Sequence, residues 1–151
     1  MSSWAEFAAT APELAAFGAG RFATGVAYLA TITANGGPRV HPVTPIASVE
    51  GLFVFMEPTS PKGYDLKRLG RYALHSAVPN SEGDGGEFFV SGRAQVITDP
   101  ARRALAVQAA RYAPKDRYIL FELSVDAAAS TLYENGRPVR SRWTAEPKDQ
   151  S

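Results

Sequence analysis

A chain of 151 residues is long enough to bury one compact domain and short for two. Its 45% hydrophobic and 21% charged residues exclude wholesale disorder, and sixteen Lys+Arg against fifteen Asp+Glu leave a net charge of +1, too little to capture nucleic acid non-specifically. The absence of cysteine excludes disulfide scaffolds, thiolate metal sites, iron–sulfur clusters and cysteine nucleophiles together.

The opening residues carry Glu6 and Glu13 without a basic segment, which does not read as a secretory signal. No apolar run approaches the roughly 20 residues that span a bilayer, so a soluble, cytoplasmic protein without a membrane partner is expected. Trp4, Phe7, Ala8, Leu14 and Phe17 fall on one helical face over 4–17, with Pro12 dividing the stretch and Gly18 and Gly20 ending it. The period then changes to two. Residues 26–33 predict a strand, Asn35 and Gly36 a turn, and 39–47 a second strand interrupted by Pro42 and Pro45. Proline donates nothing to a ladder, so that strand has a free or ligand-facing edge. The unbroken apolar run from Leu52 to Met56 suits a strand buried on both sides.

Ser60 caps and Pro61 begins a short helix in which Leu66 and Leu69 face inward, stopped by Gly70. Residues 71–78 and 87–98 read as strands joined by the loop 79–86, with Gly92 a bulge or a point of close approach. Asp99 and Pro100 start a helix whose inner face is Ala101, Leu105, Ala109 and Tyr112. Residues 118–125 alternate, with Ile119, Phe121, Leu123 and Val125 on one side, and 131–143 form a hairpin about Asn135 and Gly136. Residues 144–151 read as a polar tail. About seven strands with three or four short helices predict a mainly β protein, a small antiparallel barrel in one domain over 1–151.

The helix that opens after the buried run is the clearest place for an anion. Its free amides and dipole favour negative charge, Thr59 and Ser60 add hydroxyls, and Lys62 in the first turn is unfavourable unless it answers an anion such as phosphate. The other reading of the segment is a capped connector with a solvated lysine. His41 and His75 are the two histidines; His41 reads as a surface or hydrogen-bonded core residue before a ligand, and His75, alternating with Leu74 and Ser76 in a short strand, reads as structural. Arg137, Arg140 and Arg142 beside Trp143 suit either stacking on a planar, acidic ligand or protection of a sheet edge. No residue presents itself as a general acid or base.

The ordered set of 27–33, then 35–43, Leu52 to Phe55, Thr59, Ser60 and Lys62, the strand 72–76, and Phe89 to Ala94 before the Asp99, Pro100 helix resembles the pyridoxamine 5′-phosphate oxidase-like superfamily over about 14–143. The resemblance implies a homodimeric, six- to seven-stranded antiparallel split β-barrel that binds FMN or a deazaflavin coenzyme at the subunit interface. It implies that His41, Pro42, Val43 and Thr44 run beside the cofactor and that Thr59, Ser60 and Lys62 hold its phosphate. Arg142 and Trp143 would reach the cofactor from the partner subunit. His41 and Pro61 stand where the oxidases carry basic residues. The implied activity is a flavin- or deazaflavin-dependent oxidoreductase acting on a small unsaturated or quinone-like substrate. The alternatives are a non-catalytic flavin- or haem-binding barrel dimer, with His41 or His75 as the axial ligand of a haem.

Overall fold

The computed structural model describes residues 2–147, which form four helices and nine strands joined in one antiparallel sheet. The helices are α1 (Trp4–Thr10), α2 (Pro12–Phe22), α3 (Pro61–Arg68) and α4 (Pro100–Ala109). The strands are β1 (Ala27–Ile32), β2 (Pro38–Val43), β3 (Ile46–Ser48), β4 (Gly51–Met56), β5 (Arg71–Ser76), β6 (Glu87–Ile97), β7 (Ile119–Leu123), β8 (Ala127–Glu134) and β9 (Arg137–Thr144). Seven of them make the continuous path β2-β1-β5-β6-β7-β4-β3, the split barrel that the resemblance implies, while β8 and β9 branch from it. The long strand β6 makes the split: Glu87 to Ser91 pair with β8, and Ala94 to Ile97 pair with β7.

The apolar patterns account for this layering. All six residues of β4 are buried, as its unbroken run requires. Leu52, Val54 and Met56 join Leu29, Leu74, Phe88 and Phe121 in the barrel core, closed by Trp4, Phe7 and Phe22 of α1 and α2. Phe53, Phe55 and Leu120 point the other way, into a second cluster under α4. The inner face of 118–125 is as expected, and Leu120 makes β7 two-sided. Asn135 and Gly136 adopt φ of 53° and 76°, the left-handed pair of a two-residue hairpin.

Four expectations are corrected. Gly18 and Gly20 do not end α2, which runs on to Phe22; at Gly18 the glycine serves packing, because a Cβ there would enter the ring of Phe88. The strand expected over 39–47 divides into β2 and β3, because Pro45 has no N–H and restricts Thr44 as the chain passes between the two halves. Leu69 is exposed at the end of α3, beyond the buried Leu66. On α4 the fully buried residue is Ala106, Ala101 is exposed, and Tyr112 lies beyond the end of the helix. Gly92 is a point of close approach, its Cα facing the Ser124 carbonyl. Thr144 ends β9 and Ala145 N–H donates to Asp126 O (2.8 Å), while 148–151 of the expected tail lie outside the described residues.

Candidate anion site

Ser60 holds an extended conformation (φ −68°, ψ 132°), its Oγ accepts the Gly63 N–H at 3.2 Å, and Pro61 opens α3. The hydroxyl is buried and committed to this cap. Ser60 N–H donates to Glu57 O, and Gly63 and Tyr64 N–H donate to Ser60 O. The Lys62 amide is therefore the first-turn donor with no acceptor among the described residues. Its side chain is half-buried, forms no ion pair among the described residues, and burial lowers the ammonium pKa. Glu57, just before the helix, is taken by Arg117, whose guanidinium donates to both carboxylate oxygens at 2.6 and 2.9 Å. Thr59 is exposed beside Lys62.

One turn along α3, the buried Asp65 joins three elements. Its Oδ2 accepts from Thr31 Oγ1 of β1 (2.7 Å) and Arg39 Nε of β2 (2.7 Å), and its Oδ1 accepts from Arg68 Nη2 (3.1 Å). Burial pushes the carboxyl up, but the hydrogen bonds from Thr31, Arg39 and Arg68 outweigh it and hold the carboxyl below its ordinary value. Residues three apart on a helix have Cβ atoms about 5–6 Å apart, so Lys62 stands beside this cluster. Arg39 and Arg68 thus flank one carboxylate, with Lys62 in the preceding turn of α3, and the Nη groups of Arg39 have no partner among the described residues. The arrangement carries two positive charges more than it neutralises, which suits a phosphate dianion.

Arg39 and Asp65 were not singled out from the sequence. The signal was present: Arg39 alternates with His41 and Val43 on the inner face of β2, and Asp65 adjoins Leu66 on the buried face of α3. His41 lies on that inner face opposite Leu29, half-buried and without a hydrogen bond among the described residues. Val43 is buried, Pro42 faces outward opposite Tyr28, and Thr44 opens onto a separate cleft. His75 is on the outer face of β5, its Nδ1 2.6 Å from Ser76 O. Arg142 and Trp143 point to opposite faces of β9. Trp143 packs on Phe7 (ring centroids 4.9 Å apart) and donates to Thr10 Oγ1 at 3.0 Å, while Arg142 lies on the exposed outer face. Neither is brought to α3 within one chain. Arg142 is five strands from β2 along β2-β1-β5-β6-β8-β9, about 24 Å measured around the curled sheet.

No family model and no curated protein matches the sequence. Solved structures do match. A haem-binding protein from Mycobacterium smegmatis superposes with a TM-score of 0.64 at 21% identity, over 83% of this chain and 56% of that one, so the chain spans little more than half its length. PhzG from Burkholderia lata 383, in complex with tetrahydrophenazine-1-carboxylic acid, gives 0.61 at 16% identity over 82% of this chain and 78% of that one. HutZ, the haem storage protein from Vibrio cholerae, gives 0.59 at 18% identity over 76% and 89%. The likeness establishes a split β-barrel fold, a curled antiparallel half-barrel shared with these proteins. Among the described residues no helix is long and apolar enough to cross a membrane, and no cluster of three His, Asp or Glu could hold a metal ion.

Proposed function

We propose that this protein is a flavin- or deazaflavin-dependent oxidoreductase of the pyridoxamine 5′-phosphate oxidase-like kind, acting on a small unsaturated or quinone-like molecule, with FMN the cofactor its site suits best. The observation that carries the reading is the cationic surplus at α3, where Lys62 is half-buried with no anion of its own and Arg39 has unpaired Nη groups. Arg39 and Lys62 would hold the cofactor phosphate, with the Lys62 amide and Thr59 near them, and Pro42 and Val43 would border the rest. A bound flavin or deazaflavin would supply the hydride chemistry, and the chain would supply position and electrostatics. PhzG, whose structure holds tetrahydrophenazine-1-carboxylic acid, supports a small ring substrate. The test is the absorption spectrum of the purified protein, then titration with FMN and with a deazaflavin. Saturable quenching of either fluorescence is expected, and a colourless protein that leaves both unchanged would overturn the reading.

The active form would be a homodimer. Two rows cross the outer face of the sheet: Pro42, Tyr28, His75, Phe89, Ala129 and Arg142, and beside it Val40, Ala30, Ala73, Ser91 and Ala127. Val40 is 62% exposed and Tyr28 46%, while the alanines leave the sheet open to close approach. A second copy would cover this face and bring its Arg142 to the site.

A haem reading has one observation of its own. If His75 Nδ1–H donates to Ser76 O, the lone pair of Nε2 is left for a metal on the outer face, between Tyr28 and Phe89. Two of the matching structures are haem proteins. A Soret band that appears on haem addition and disappears in His75→Ala would support this second reading.

A further inference from the structure

At Thr44 and Pro45 the chain crosses between the two halves of the barrel, and there a cleft of about 330 Å³ opens along the seam. Its walls include Phe22 at the end of α2 and Ile46 of β3, and none of its lining residues is acidic. The polar side chains at it are the Thr44 hydroxyl, the Arg111 guanidinium and the Tyr112 phenol. Arg111 Nη1–H donates to Ala23 O at 3.2 Å, which holds the guanidinium at the cleft, and it forms no ion pair among the described residues. Burial, aided by Tyr118, raises the pKa of Tyr112.

Gly20 of α2 also lines this cleft. A glycine inside a helix costs stability relative to alanine, and natural helices retain one where a neighbour needs the room. Gly18 has such a neighbour in Phe88, but a Cβ at Gly20 would meet nothing within 4 Å. No contact among the described residues explains Gly20, an exposed position on the lining of the cleft where a side chain would enter open space.

We propose that this seam cleft binds a small, flat, largely apolar molecule with one anionic oxygen. The oxygen would sit against Arg111 and Thr44, and the ring body over Gly20 between Phe22 and Ile46. The site is distinct from the anion site: Arg39 and Thr44 are five residues apart along β2 and its exit, about 17 Å. It therefore stands whether or not a cofactor binds at α3.

The test is a fluorescence titration with 1-anilinonaphthalene-8-sulfonate, beside N-phenyl-1-naphthylamine, which has the same rings without the charge. One saturable site is expected for each probe. Gly20→Phe should fill the cleft and weaken both probes at least tenfold. Arg111→Gln should weaken the sulfonate about tenfold and leave the neutral probe unchanged. Lys62→Glu should not alter either probe, which separates this site from the cofactor site. Absence of binding, binding undiminished by Gly20→Phe, or an equal loss of both probes in Arg111→Gln would overturn the proposal; the Arg111 comparison decides should Gly20→Phe fail to fold.

Discussion

The carboxylate of Asp65 takes hydrogen bonds from β1, β2 and its own helix, and so couples the placement of α3 to the state of one acid. Asp65→Ala leaves Thr31, Arg39 and Arg68 without their acceptor and should cost about 1–3 kcal/mol at neutral pH, read as a lower urea midpoint. The pH dependence follows from the lowered carboxyl. A group whose folded value lies below its unfolded one contributes stability above the unfolded value, near 3.8, and loses it as pH falls through the folded value. The gap between wild type and Asp65→Ala should therefore shrink on acidification below about pH 4. A gap unchanged at pH 2 would contradict this account of the cluster. The partners of Asp65 come from residues 26 and 34 positions away, Arg39 and Thr31, which is why local spacing alone did not disclose them. Lys62 was legible because its misfit with the helix dipole is a matter of adjacent residues.

At the scale of elements, local chemistry carried most of the outline. Ser60 with Pro61 and Asp99 with Pro100 start α3 and α4 where capping rules place them, and the continuous run of β4 is buried on both faces. What local rules missed depended on distant partners. Gly18 and Gly20 look alike in sequence, yet only the packing of Phe88 on α2 tells them apart. The two should therefore respond in opposite directions to the same change. Gly18→Ala forces a methyl group into the Phe88 ring and should destabilise by about 1–3 kcal/mol. Gly20→Ala meets nothing and should stabilise by about 0.5–1 kcal/mol. Thermal melts of the two variants check this, and equal shifts would contradict the packing given for α2. The face of α4 was misplaced for the same reason: Ala106 is selected by the second cluster of Phe53, Phe55 and Leu120.

For the whole molecule, the outer sheet face decides whether one chain suffices. Its cross-strand rows became visible only with the register, since each strand contributes one or two residues to them. A second copy covering this face predicts a dimer by sedimentation, and Ala73→Glu, which sets a charge in the small-residue row, should yield a folded monomer. A wild-type monomer at micromolar concentration would contradict it. The barrel supplies the frame, but the cationic surplus at Lys62 and Arg39 is what would make that frame a cofactor protein. The most direct measurement is equilibrium titration of FMN against wild type and Lys62→Glu, with circular dichroism confirming that both are folded. Saturable binding by the wild type and a loss of at least a hundredfold in Lys62→Glu is the predicted result, since reversing one charge exchanges an attraction for a repulsion. Equal affinity in the two proteins, or none in the wild type, would contradict it.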